Sequence, residues 1–169
     1  MNKAITDGVV FTPAAFANGL DVYSSGDGTS GSDTYANAIN AAFIPADQDF
    51  GGALELIKTQ STQKLRYMGQ TPLLPGCYLR ITAKVKAISG NLPSVRIAGY
   101  PALGNGARVG GLVEFGTSVQ LTSYGEVVEI SAIVGSGQRG GVDMVWGTNP
   151  VYGHFGLDMT GQNGGVVRI

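Results

Sequence analysis

Ten residues, Tyr78 to Ala87, alternate without a break between two kinds of side chain. Leu79, Ile81, Ala83, Val85 and Ala87 fall on one side, and Tyr78, Arg80, Thr82, Lys84 and Lys86 on the other. Side chains of a strand point alternately to opposite faces. The pattern therefore reads as a half-buried β-strand with its basic residues in water. Pro75-Gly76 punctuates its start and Ser89-Gly90-Asn91 its end. One such strand cannot bury its apolar side alone.

Similar short runs recur along the chain: Ala53–Lys58, Lys64–Met68, Ser94–Ala98, Glu126–Val134, Gly141–Trp146 and His154–Met159. In the fourth, Val128, Ile130, Ala132 and Val134 share one face. Turn residues separate the runs, and no helical stretch has comparable strength. Ser32–Ala42 is rich in alanine, but Asn37 and Asn40 disfavour a long helix, so a loop or a short helical piece is expected there. Strand, turn, strand at short spacing predicts an all-β jelly-roll sandwich. The 27 glycines among 169 residues sit in turn contexts and do not form a linker block. With 43% hydrophobic and 14% charged residues, the chain is too apolar for disorder and long enough for one core. The sandwich is assigned to 18–169. Residues 1–17 are apolar and irregular, with Val9, Val10, Phe11 and Phe16 among few charges. They read as an arm that packs on something else.

The two ends bear on where such a module works. Gly164-Gly165-Val166-Val167-Arg168-Ile169 reads as the first half of a strand, so a longer protein, with this module at its front, is expected. The N-terminal segment lacks the apolar run of a signal peptide, and the lone cysteine, Cys77, has no internal disulfide partner. Both point to synthesis in a reducing cytoplasm. A net charge of −1 offers no field for nucleic acid or an anionic membrane, and no run approaches the roughly 20 apolar residues that span a bilayer.

His154 is the only histidine, and no G-x-S-x-G accompanies it, so it reads as a surface or turn-adjacent residue rather than part of a nucleophilic relay. Neither Asp27–Asp33 nor Asp47 with Asp49 completes a calcium loop, and both read as polar turns. Glu126 and Glu129 lie on opposite strand faces, while Asp143 and Asp158 could both point outward from neighbouring strands. No catalytic set and no metal or other cofactor is expected. Gly104-Asn105-Gly106 and Gly110-Gly111 read as flexible turns, not a phosphate cradle. Sugar binding needs exposed flat rings. Tyr100 and Tyr152 are placed in loops at the sandwich rim as glycan contacts. Tyr124 and Trp146 are further candidates, although Trp146 shares parity with Val142 and Met144 and so leans toward the core.

Two family resemblances follow from longer stretches. Phe50–Leu56, Gln63–Tyr67 and Leu74–Ala87, in that order, resemble the carbohydrate-binding jelly-roll modules of galactose-binding-like fold. Met1–Gly8, Leu20–Thr29 and Tyr152–Asp158 resemble the N-terminal module of alphaproteobacterial phage-like spike proteins. Those proteins carry a pectate-lyase-like β-helix after the module and include the head spikes of gene transfer agents. The second resemblance implies a non-enzymatic structural module on the surface of a phage-like particle, assembled in the cytoplasm and released by lysis. It also implies partners: other copies of the chain, capsid or tail proteins, and a cell-surface polysaccharide. The first implies a carbohydrate-binding module of a polysaccharide-degrading enzyme. A ring of copies around an axis would favour the spike, and a glycan-binding monomer the enzyme module.

Overall fold

The computed structural model describes residues 23–26, 41–60, 62–67, 71–73, 76–103, 113–136, 142–146 and 152–169. In chain order the first strands are β1 (Tyr23–Gly26), β2 (Ala41–Ile44), β3 (Ala53–Ile57), β4 (Thr62–Tyr67), β5 (Thr71–Pro72) and β6 (Tyr78–Ser89). There follow β7 (Ser94–Ala102), β8 (Val113–Glu114), β9 (Val119–Gln120), β10 (Val128–Ser136), β11 (Met144–Trp146), β12 (Tyr152–Thr160) and β13 (Val166–Arg168). Seven strands form one sheet, in the order β1-β4-β12-β7-β8 with β5 beside β12 and β9 beside β7. Six form the other, in the order β11-β10-β6-β13-β3-β2. All the pairings are antiparallel except β10 with β11. The fold is an all-β jelly-roll sandwich, and no helix occurs among the described residues.

The core lies between the sheets. Leu56, Val85, Ile130, Ala132, Val134 and Val167 enter it from the six-stranded side, and Leu65, Val95, Ile97, Phe155, Leu157 and Met159 from the other. Full burial of such a side chain contributes about 1.5–3 kcal/mol. Three rings join the two layers at one end. Trp146 of β11 stacks on Phe155 of β12, with centroids 5.4 Å apart and planes 7° from parallel. Phe115 meets both edge-on, at 5.9 and 6.3 Å. Gly99 and Gly153 make room for Phe155, since a Cβ on either would lie 2.8 or 2.3 Å from its ring.

The alternation expected of Tyr78 to Ala87 is present, with Val85 and Ala87 fully buried and Arg80, Thr82 and Lys84 exposed. Lys86 departs from it. Although on the outward side, it is only 5% exposed, because the turn between β2 and β3 folds over that part of the sheet. The strand expected over Gly164–Ile169 is present as β13. β13 lies between β3 and β6, and Ile169 exchanges both backbone hydrogen bonds with Leu54, each 3.0 Å. Gly164 and Gly90 have φ of +93° and +75°, which favours glycine. A Cβ on Gly165 would meet the Asn91 carbonyl oxygen at 2.3 Å, so the two turns pass backbone against backbone.

The arm with Val9, Val10, Phe11 and Phe16, the loop Asp27–Asp33 and the glycine turns at 104–106 and 110–111 lie outside the described residues. So does 32–40 of the alanine-rich segment, whose last two residues, Ala41 and Ala42, begin β2.

Candidate functional site

Two of the expected glycan contacts, Tyr100 and Tyr152, lie with His154 and Asp158 on the outward side of the seven-stranded sheet. Val95, Ile97, Leu157 and Met159 point to the core, so the residues between them point away from it. In register across β7 and β12, Arg96 pairs with Asp158, Tyr100 with His154 and Ala102 with Tyr152. On the other flank of β12 the register sets Lys64 beside Asp158. Charge, imidazole and phenol thus form one outward row.

Most of that row is closed to solvent. Tyr100 lies inside β7 rather than in a loop and has 0% exposure, so it offers no ring to a ligand. His154, expected at the surface, is 4% exposed in mid-strand. Asp158 is fully buried and accepts a hydrogen bond of 2.9 Å from Arg96 Nε. Alternation tells which side of a sheet a residue takes, not whether that side is covered. Tyr152 opens β12, not a loop, and stays half-buried. Trp146 is core, as its parity suggested, so the stacking on Phe155 occupies the ring that a sugar would need.

Nor do the carboxylates pair across a cleft. Asp143 is exposed just before β11, where its Oδ2 accepts the Ile133 N–H at 2.7 Å. It belongs to the six-stranded side and Asp158 to the seven-stranded sheet, so they are not on neighbouring strands. Glu126 and Glu129 are both exposed, and Glu126 accepts a bond from the Ser123 hydroxyl.

A second polar cluster sits on the outward side of the six-stranded sheet. Lys86, Arg168 and Glu55 lie in register across β6, β13 and β3. Asp47, from the turn after β2, reaches over them. Its Oδ1 accepts the N–H groups of Asp49 and Phe50 at 2.9 and 3.1 Å and the Lys86 ammonium at 2.6 Å. Its Oδ2 accepts Arg168 Nη1 at 3.0 Å, while Arg168 Nε donates to Glu55 at 2.9 Å. Lys86 also donates to Asp49 at 2.7 Å and lies 4.9 Å from the centre of the Phe50 ring. Burial alone would push the Asp47 carboxyl up. The hydrogen bonds from Lys86, the Asp49 amide, Arg168 and the Phe50 amide outweigh it and hold the group well below the usual carboxylate range. Burial would likewise push Lys86 down, but its bonds to Asp47 and Asp49 raise it. An ammonium already occupies the place where Asp47 and Asp49 could have gripped a cation, so the pair is an ionic clasp. The sequence signal for it was slight: a lysine at an alternating position, with two aspartates in a turn.

A second buried cation, Lys58, closes the end of β3. Its Nζ donates to Asn163 Oδ1 at 2.9 Å and to the Gln60 carbonyl, while Asn163 Nδ2 donates to the Thr59 carbonyl at 2.9 Å. Burial lowers its pKa, against an upward pull from Asp158.

No protein-family model matches the chain, and no curated protein matches it significantly. Solved structures share its fold. The CBM22-1 xylan-binding domain of Paenibacillus barcinonensis Xyn10C superposes with a TM-score of 0.54 at 10% identity, over 76% of this chain and 75% of that one. The CBM22-1–GH10 modules of the Clostridium thermocellum xylanase 10B, complexed with xylohexaose, give 0.57 at 9% identity. That match covers 89% of this chain and 25% of the xylanase. The enzymatically active domain of bacteriophage CBA120 tailspike protein 4 gives 0.56 at 9% identity, over 95% of this chain and 20% of the tailspike. At such identities the likeness concerns architecture: this chain has the jelly-roll sandwich found in a xylan-binding domain and in a phage tailspike.

Proposed function

We propose that this chain is a non-catalytic jelly-roll module of a phage-type spike, which anchors a polysaccharide- or receptor-binding region to a particle. The observation that carries the reading is the shared fold over 95% of this chain with part of a tailspike. The state of the buried acids supports it too. Asp47 is held ionised by Lys86 and Arg168, whereas a glycoside-cleaving acid needs a raised pKa. In this reading the partners are copies of the chain and capsid or tail proteins, and the particle surface is where it works. In its narrower form the reading is a gene transfer agent head spike, as the sequence resemblance implies. The arm makes the anchoring contact, because Phe11 and Phe16 would each contribute about 1.5–3 kcal/mol when buried at an interface.

Light scattering on the whole chain tests this. A defined oligomer that falls to monomer in Phe11→Asp/Phe16→Asp, with an unchanged melting profile, is the expected result. A monomeric wild type that binds glycan would reject the anchor. It would favour the second reading, a carbohydrate-binding module of a polysaccharide-degrading enzyme. That reading draws on the match to three quarters of a xylan-binding domain, 75% of its length.

A further inference from the structure

We propose that Lys58 and Asn163 are the two halves of an intramolecular isopeptide bond, made when the Lys58 amine attacks the Asn163 side-chain amide and ammonia leaves. Such a bond would strengthen a spike and an enzyme module alike, so it is independent of which function holds.

The fold brings a buried amine to an amide. Lys58 continues the parity of Leu54 and Leu56, so its stem runs inward, and the residue has 0% exposure. Its backbone extends the pairing of β3 with β13. The Lys58 N–H donates to the Gly165 carbonyl, and the Lys58 carbonyl accepts the Gly164 N–H, each at 2.8 Å. Asn163, just before those glycines, is held from several sides. Its Nδ2 donates to the Thr59 carbonyl at 2.9 Å, and its backbone carbonyl accepts Asn91 Nδ2 at 2.6 Å. Its Oδ1 accepts Lys58 Nζ at 2.9 Å. Reacting atoms about 3–3.5 Å apart are in range for attack. Cγ lies one carbonyl bond, about 1.23 Å, from Oδ1. The terminal torsion of an asparagine is broad, so a turn of the amide offers Cγ to Nζ where Oδ1 now stands.

The surroundings of Lys58 suit a nucleophile, because an amine attacks only when neutral. Its hydrogen bonds go to the Asn163 amide and the Gln60 carbonyl, neither of them charged. Burial lowers its pKa, against the upward pull of Asp158. Lys86 is the contrast. Asp47 and Asp49 grip its ammonium and raise its pKa, so it stays charged. As Lys58 Nζ bonds to Cγ it takes on positive charge, which the field of Asp158 favours. One Nζ proton then passes to Nδ2, the Cγ–Nδ2 bond breaks, and ammonia leaves from Asn163, which is exposed. An amine and a primary amide become a secondary amide and ammonia, with no oxidant, reductant or cofactor. The link would tie the end of β3 to the turn before β13 across 105 residues of chain, constraining the unfolded state as a disulfide does.

A competing route closes Asn163 on the Gly164 nitrogen to a cyclic imide, which also releases ammonia. That nitrogen already donates to the Lys58 carbonyl, so the pairing beside β3 must open first.

Mass spectrometry of the whole folded chain, held at neutral and then mildly alkaline pH, tests the bond. The expected mass is lower than that of the sequence by one ammonia, and a proteolytic digest should yield a branched peptide joining the segments around Lys58 and Asn163. Lys58→Arg and Asn163→Ala should each restore the full mass and remove the branched peptide. If either variant fails to fold, the presence or absence of the branched peptide in the wild type still decides. A wild-type mass that stays equal to the sequence overturns the bond. Ammonia loss that persists in Lys58→Arg, with linear peptides only, shows the cyclic imide and also overturns it.

Discussion

The two sheets turn very different outward sides to their surroundings. On the seven-stranded sheet, a row with the composition of a binding site, Tyr100, His154 and Asp158, is shut away from solvent. On the six-stranded sheet, β6 leaves Tyr78, Arg80, Thr82 and Lys84 open, until the turn after β2 closes over Lys86. Residue type therefore says little about availability here. On the covered side Asp158 is held by Arg96, whereas Arg80, Thr82 and Lys84 on the open side stand in solvent.

Substitutions can break that contrast, and the largest effects belong to closed positions. Tyr100→Ala should cost about 3–5 kcal/mol, as for a large ring removed from a packed site. Val85→Asp, on the core side of β6, should unfold the module outright, since an unpaired buried carboxylate costs several kcal/mol. Urea denaturation measures both, and a stable Val85→Asp would refute the strand assignment. Next comes the clasp. Lys86→Met leaves Asp47 buried without its ammonium and should cost about 3–5 kcal/mol. A loss below about 1 kcal/mol would show that solvent reaches Asp47.

The clasp also predicts a dependence on pH. Asp47 has a depressed folded-state pKa, so its contribution is complete above the ordinary carboxylate value of about 4 and drains as the pH falls below it. Lys86 has a raised one, so its contribution is complete below its ordinary value of about 10.4 and is lost as the pH climbs past it. Stability from this pair should be flat between those limits. Asp47→Asn should reduce the acid-side loss in denaturation curves, and an unaltered acid limb would remove Asp47 as its source.

Open positions should respond least. Lys84 faces Glu129 across β6 and β10, so Lys84→Asp sets like charges opposite one another and should cost about 0.2–1 kcal/mol. Tyr78→Ala should change stability least, within about 0.5 kcal/mol. A substantially larger loss would mean that the ring is a structural support.

The strands were largely legible in the sequence, because each core-facing run must obey the two-residue period. That period placed Val85 and Ile130 in the core, and it leaned Trp146 inward. It could not reveal the burial of Lys86, which depends on a turn some 40 residues away in the chain, the Lys86–Asp47 separation being 39. Nor could it show the burial of Tyr100, His154 and Asp158. Each points away from the core, as its parity requires, and is covered by tertiary structure that no local pattern encodes. Tyr78 was legible as a polar-side residue, but the closeness of its ring to Gly135 comes only from the register of β6 with β10.

The place of β13 has a consequence for the order in which the molecule assembles. β2 and β3 join the rest of their sheet only through this strand, since β13 alone lies between β3 and β6. Arg168 reaches Glu55 and Asp47 across 113 and 121 residues of chain. Two half-sheets must therefore wait, edges unpaired, until Val166–Arg168 arrive. Closing so long a loop comes at an entropic cost before any contact offsets it, which places folding among slow, non-local sandwiches, on the order of milliseconds to seconds. During that interval the open edges of β3 and β6 are where a second nascent copy could pair in place of β13.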